Sequence, residues 1–518
     1  MRGHGGRAHP PRLRHDGPRR HGRHPARGGP GGGAPTGSGP VVSGPIRHAV
    51  DLAVLGAGPA GGAAALAASR AGLSVALIDE NPDAGGQVWR KPVRPAARAA
   101  TAEPGDALRA DLAASGITLL YGRTVWSVGA SLDLDMIDAE SGRWERVSAG
   151  RLVAAGGAHE RVVPFPGWTL PGVVGLAGAT ILLKSHGIAP GRRVLVAGCG
   201  PLLFAVAAGL AGAGVEVVGV ADLAARSDWL RALPDLLTRP GLLGQGACWM
   251  TSLKAAGIPI FFRQALRRAE GATEIARAVI GPVDAHGAPA PGPERTFAVD
   301  ALCVGHGLVP GSDVTRLLRA PHRFDPLRGG LVPVTDEAGR TGISGLYAVG
   351  DGAGLRGAAM AALGGELAGL AAAADAGRLA PDAFAREAER LRRAMARERP
   401  FSDRMAGMMR LRPAQVQAIA PETVVCRCED VTRAEIDAAC AAGARDVNQM
   451  KQFTRCGMGP CQGRLCGDVA AELLAARVGT REAVGAFTAR PPLRPIGFDE
   501  LMGDFDYADI PIPEPAPL

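Results

Sequence analysis

Residues 51–61, Asp-Leu-Ala-Val-Leu-Gly-Ala-Gly-Pro-Ala-Gly, run a short apolar strand into glycines spaced G-x-G-x-x-G, and few local patterns restrict a fold as tightly. An Ala-rich helix is expected over roughly 59–71 and a second strand over 74–79, which closes a β-α-β unit. Each glycine has a separate task. Gly56 permits the tight turn, Gly58 leaves room for a pyrophosphate, and Gly61 lets the helix approach the strand. Together with Ala60, they open a helix whose unpaired N–H groups and positive dipole end suit phosphate charge. Asp79 ends the second strand, where ribose hydroxyls are read, and Glu80 follows it.

The pattern recurs. Arg193-Val-Leu-Val-Ala-Gly-Cys-Gly200 enters a helix near 202–213, and Val215–Val220 reads as the next strand. Here Gly198 and Gly200 remain, but Leu203 holds the third glycine position, so this helix is expected to stand further from its strand. The acidic residue near the strand end is Asp222. NAD(P) and ATP are the candidate ligands of this second turn, because phosphate needs the turn and its N–H groups more than the third glycine; a fold retained without a nucleotide is the alternative. The fold class is therefore α/β, with two Rossmann-like dinucleotide-binding domains.

Charge adds little. The net +8 is already present in residues 1–47, which hold nine Arg and one Asp, so the remainder is neutral and no nucleic-acid partner is expected. That Gly/Pro/Arg-rich tail cannot repay its ordering entropy by burial and is expected to be disordered. No apolar stretch is long enough to span a membrane. A cytoplasmic protein is expected, with peripheral attachment at the inner face of the cell membrane left open.

Downstream, Gly85-Gly86-Gln87 supplies flexible backbone close to the acidic strand, and Gly350-Asp351 ends an apolar strand with a carboxylate. This spacing resembles that of the two-dinucleotide-domain flavoproteins, which include glutathione reductase-like and thioredoxin reductase-like enzymes. The resemblance implies FAD in the first domain, with Gly86 and Gln87 near the flavin and Asp351 on the ribityl chain. The disulfide reductases of that group need two cysteines at close spacing beside the flavin. Cys199, Cys248 and Cys303 are isolated in sequence, so that relay is not expected, and Cys303 reads as a small core residue. His186 and His306 are isolated candidates for acid/base work, with a loop or capping residue as the plainer reading. No catalytic residue is assigned.

Six of the nine cysteines fall within 426–466, which suggests a local metal site more than a disulfide framework. Cys426 and Cys428, then Cys461 and Cys466, give C-x-C-x32-C-x4-C; Cys456 with Cys461 gives C-x4-C as well, so spacing alone does not choose between them. Four thiolates suit zinc or an iron–sulfur centre, and the one-residue spacer is tight for a zinc knuckle. Thr432 and Glu435 form a capping box ahead of a helix over 433–442.

The run Thr454-Arg-Cys-Gly-Met-Gly-Pro-Cys-Gln-Gly-Arg464 resembles the bacterioferritin-associated-ferredoxin-like [2Fe–2S] module fused to flavoprotein dehydrogenases. That likeness implies Cys426, Cys428, Cys461 and Cys466 as ligands, with Cys456 a neighbour or alternative. Over roughly 48–500 the chain resembles the alpha subunits of opine oxidases, D-hydroxyproline and L-proline dehydrogenases, and hydrogen cyanide synthase.

The resemblance implies an electron-transfer subunit that binds FAD and [2Fe–2S]. It would work with an FAD-containing beta subunit that binds most of the amino-acid-derived substrate, and with a small ferredoxin-like chain in some assemblies. A standalone NAD(P)H-driven flavin/iron–sulfur reductase and a non-catalytic nucleotide-binding scaffold are the alternatives. The expected organisation is a tail over 1–47, an FAD-binding domain over 48–163 and 291–380, and a nucleotide domain inserted at 164–290. A helical linker over 381–423, a cluster module over 424–476 and an extended tail over 477–518 follow.

Overall fold

A computed structural model describes residues 46–93 and 104–502; the expected disordered tail before Ile46 and the Pro-rich end after Met502 lie outside the described residues. The strand Leu52–Leu55, the helix Pro59–Arg70 and the strand Val75–Asp79 build the first β-α-β unit. These strands sit in a five-stranded parallel sheet ordered 346–348, 152–154, 52–55, 75–79, 118–121. All five residues of Val75–Asp79 are buried, as expected when both faces of a parallel sheet are covered.

The first layout is then repeated. A second parallel sheet runs 173–175, 301–305, 193–198, 216–222, 260–262. Each sheet is followed by antiparallel strands, 123–128, 134–138 and 144–149 in the first domain and 264–270, 277–282 and 295–298 in the second. Ile46–Val50 pairs with Trp144–Ala149, so Ile46 and Arg47, expected in the tail, belong to a strand of the first domain.

One boundary needs correction. Ala301–Gly305, assigned from sequence to the FAD-binding domain, is paired with Arg193–Gly198 inside the second sheet. A short apolar strand ending in glycine fits either sheet equally well. Its place is set by burial between Val173–Gly175 and Arg193–Gly198, a long-range contact that no local pattern encodes.

Glycines draw two helices together. A Cβ at Gly365 would stand 2.0 Å from Ala60 O, and one at Gly369 would stand 2.3 Å from Ala64 O, so Ala358–Asp375 packs backbone to backbone on Pro59–Arg70. The 28-residue helix Pro381–Met408 then acts as a strut. Ala388 and Leu391 belong to the first domain's core, while Met405 packs with Ala232 and Leu236 of the second. Arg404 to Asp235 at 2.6 Å supports that second contact.

The cysteine module forms its own core from Val425, Ile436, Val447, Met450, Val469, Leu473 and Leu474, among others. Thr432 N–H donates to Glu435 at 2.7 Å and Glu435 N–H donates back to Thr432 Oγ1 at 3.3 Å, so the capping box is formed and the helix runs Arg433–Ala441. The extended tail expected from 477 is not seen over the described residues, where Arg481–Val484 and Phe498–Met502 are helical. Val484 and Phe487 are in the module's core, because the ring of Phe487 covers the glycines at 457 and 463, where an added Cβ would lie 2.6 and 2.4 Å from it.

Candidate functional site

The first Gly-rich turn has the geometry its sequence requires. Gly56 adopts φ +104°, and a Cβ there would stand 2.4 Å from Ala155 O; one at Gly61 would stand 1.7 Å from Gly56 O. Neither position accepts a side chain. Gly58 differs, because a Cβ built on it would meet only Gly86 Cα, at 3.8 Å. Gly58 is therefore not needed for packing, which leaves close approach of a phosphate as the physical reason for its lack of a side chain.

Asp79 lies at the turn, with one oxygen accepting from Ala57 N–H at 2.6 Å and the other from Asn81 N–H at 2.8 Å. Glu80 is exposed and 3.7 Å from Arg494. Gln87 is exposed and accepts from Arg90 at 3.1 Å. Gly350, at φ +66°, brings the far strand against Ala60, since a Cβ there would stand 2.8 Å from Ala60 Cβ. Asp351 accepts from Arg356 N–H at 2.8 Å and Gly357 N–H at 3.1 Å, while burial pushes its carboxyl above the ordinary range. The structure thus brings Gly56, Gly58, Ala60, Gly61, Gly86, Gly350 and the strand end at Asp79 to one end of the first sheet, and leaves Glu80 and Gln87 at the surface.

The second turn has a similar backbone and different neighbours. Gly198 sits against Gly305 O, which a Cβ would meet at 1.8 Å, whereas a Cβ at Gly200 would lie 2.6 Å from Met409 Cγ. Leu203 is fully buried in this domain's core. Asp222 has no exposed surface; it accepts from Ala224 N–H at 2.9 Å and Trp229 Nε1–H at 2.8 Å. Burial raises its pKa to about 6.

Five cysteines converge in the C-terminal module. Cys426, Cys456 and Cys466 are buried with their sulfurs within 4.8 Å of one another. Hydrogen bonds from Cys456 and Cys466 hold the Cys426 thiol down near a pKa of about 2 and push the other two up. Cys428 is exposed and its thiol is hydrogen-bonded to that of Cys461. Sequence alone makes Cys456 a neighbour or alternative ligand, and the structure brings it into the innermost group. Cys440, Cys199 and Cys303 are buried elsewhere; burial raises the latter two to about 12, so they read as inert core thiols.

No sequence signal pointed to the residue that joins these parts. Arg161 is 3% exposed. It donates to Asp468 at 2.7 Å in the cysteine module and to Gly329 O at 2.6 Å. It also donates to His306 O at 3.4 Å and Met409 O at 3.3 Å. Asp468 lies two residues beyond Cys466 and also takes Arg481 at 2.9 Å. A charge-assisted network of this kind is specific because each buried group needs all its partners. Nearby, Trp168 Nε1–H donates to Val424 O at 2.7 Å and Val163 enters the module's core, so residues 163–168 also tie the module to the rest of the chain. Arg464, inside the cysteine motif, reaches Asp313 at 2.9 Å. The module is fixed to the nucleotide-binding fold by buried contacts. Buried His306 accepts from Val163 N–H at 3.3 Å through Nδ1, and burial lowers its pKa to about 4; it is a neutral packing residue, whereas His186 ends a helix at the surface.

The chain is similar to proteins of known families. The family model described as Pyridine nucleotide-disulphide oxidoreductase matches residues 50–377, and that described as Sarcosine oxidase A3 domain matches 420–504. An opine oxidase subunit of Agrobacterium tumefaciens (strain Ach5) is 35% identical over 478 residues, covering 87% of this chain and 91% of the relative. Hydrogen cyanide synthase subunit HcnB of Pseudomonas aeruginosa is 35% identical over 472 residues, covering 87% and 97%. L-Proline dehydrogenase from P. horikoshii superposes with a TM-score of 0.62 at 22% identity, over 88% of this chain and 80% of that one. The matched fold implies FAD or another nucleotide cofactor. No helix among the described residues is long and apolar enough to cross a membrane.

Proposed function

Because the chain belongs to the pyridine nucleotide-disulphide oxidoreductase family, we propose that it is the FAD- and [2Fe–2S]-binding electron-transfer subunit of a hetero-oligomeric amine or amino-acid dehydrogenase. It is an FAD-dependent oxidoreductase, related over most of its length to subunits of opine oxidase and hydrogen cyanide synthase. The observation that carries the reading is the gathering of five thiols in a module that Arg161 and Asp468 fix to the nucleotide-binding fold.

FAD would be held by the turn Gly56–Gly61, with Asp79 beside its adenosine end and Gly86 and Asp351 further along. The donor set fits. Gly58 leaves the phosphate approach free, and Asp351 offers a half-buried carboxylate whose second oxygen is available to a hydroxyl. Cys426, Cys428, Cys461 and Cys466 would hold the cluster, with Cys456 as the alternative ligand. Soft thiolates in this number suit an iron–sulfur centre. When bound, the pair supplies two-electron chemistry at the flavin and one-electron chemistry at the cluster. The chain's own work is to fix the module, exclude water from Cys426, Cys456 and Cys466, and keep the thiols beside one another. The amino-acid-derived substrate would bind mainly on an FAD-containing beta subunit, in a cytoplasmic assembly.

Anaerobic purification followed by iron, sulfide and electron paramagnetic resonance measurements tests the cluster. Iron and sulfide in equal amounts, with a signal that appears on reduction and disappears in Cys426→Ser, are expected; bound zinc without a signal overturns it. Full amino-acid dehydrogenase turnover by the chain alone would rule out its dependence on a second chain.

A further inference from the structure

The two Gly-rich turns differ in what lies against them. At Gly58 a methyl group would meet only backbone of Gly86; at Gly200 it would strike the Met409 side chain at 2.6 Å, and at Gly307 it would strike Met409 O at 2.3 Å. Gly200 and Gly307 follow the ends of adjacent strands, Arg193–Gly198 and Ala301–Gly305, where a dinucleotide crosses a doubly wound sheet. Met409 therefore stands between them.

Three further contacts hold it there. Arg161 donates to Met409 O at 3.3 Å. Arg412 donates to Leu223 O at 2.8 Å, one residue beyond Asp222. Arg412 also lies against Gly287, whose added Cβ would stand 2.9 Å from its Cβ. Asp222, in the ribose-reading position, has no exposed surface; the donor on each of its oxygens is a feature it shares with Asp79, so the Met409 contacts are what set the two turns apart. A ligand would have to displace the segment, break the Arg161 contact and expose the carboxylate.

We propose that the second Gly-rich turn keeps this chain's own Met409–Arg412 segment as its occupant, so that dinucleotide binds in the first domain alone. Arg161 links this plug to the cysteine module through Asp468, so docking of the module and closure of the turn are coupled. Nicotinamide does not deliver electrons through the second domain; they arrive from another redox centre or leave toward one. The contacts around Gly200 are made by Met409 and involve no cysteine of the module.

Amide hydrogen exchange on the cofactor-loaded full chain tests it, with NADH, NADPH and ATP added separately at millimolar concentration. The peptide covering Gly198–Leu203 is expected to exchange at the same rate with and without each nucleotide. In Met409→Gly its exchange should rise by about tenfold, equivalent to about 1.4 kcal/mol of lost protection. Slowed exchange at 198–203 on adding any nucleotide to the unaltered protein overturns the proposal, and this arm needs no variant to fold. Unchanged exchange in a folded Met409→Gly protein overturns it as well. Either result leaves the iron and flavin content untouched, so failure here is distinguishable from failure of the functional reading.

Discussion

The turns at Gly56–Gly61 and Gly198–Leu203 begin alike, each following a buried parallel strand and each opening a helix with proline near its start. In the first, glycine at the third position lets the helix lie against the strand; in the second, Leu203 fills that space and belongs to the hydrophobic core. The first leaves Gly58 free of side-chain contact, and the second is closed by Met409. A shared backbone device thus has open space at its second glycine in one domain and a packed side chain there in the other.

The comparison is broken most severely by Leu203→Gly. It restores the three-glycine spacing yet removes a fully buried leucine, so a loss of about 4 kcal/mol is expected in chemical denaturation, with no gain of nucleotide. Gly58→Ala sharpens the contrast from the other side. Its φ of −72° suits alanine and its Cβ would meet nothing closer than 3.8 Å. Flavin affinity should fall by about a hundredfold, ~2.7 kcal/mol, while the thermal midpoint of the cofactor-free protein stays put. Gly200→Ala should do the reverse. At φ +82° and 2.6 Å from Met409, the methyl costs about 2 kcal/mol of stability without changing flavin content.

The smallest effect concerns pH and the Gly305-His-Gly307 turn. His306 is neutral when folded because burial lowers its pKa from 6.5 to about 4. The unfolded chain takes up a proton below pH 6.5, so the stabilising contribution is present above that pH and is lost as pH falls toward 4. About 1 kcal/mol should be lost between pH 7 and 5.5, and denaturation of His306→Gln should show a correspondingly flatter profile.

Local chemistry made the first turn legible in sequence: three glycines, an apolar strand on each side and Asp79 at the expected distance. The capping box at Thr432 and Glu435 was legible for the same reason, since both partners lie within one helical turn. Ala301–Gly305 was misplaced because an apolar strand does not state which sheet it enters. Arg161 and Met409 left no pattern at all. Asp468 and Met409 lie 307 and 248 residues from Arg161 in sequence, and an arginine or methionine in isolation reads as ordinary surface or core. Cys456 was visible, but spacing gave it the same standing as Cys466; only folding shows it beside Cys426 and Cys466.

With the second turn closed as proposed, the chain uses one of its two dinucleotide folds for a ligand, and that ligand is a flavin. Release of bound nucleotides by denaturation of the purified, cofactor-saturated protein, followed by chromatographic quantitation per chain, measures this directly. One equivalent of FAD is expected, absent from Gly58→Ala after dialysis and retained by Gly200→Ala. Two equivalents of dinucleotide per chain, or one that Gly200→Ala loses and Gly58→Ala keeps, would contradict it.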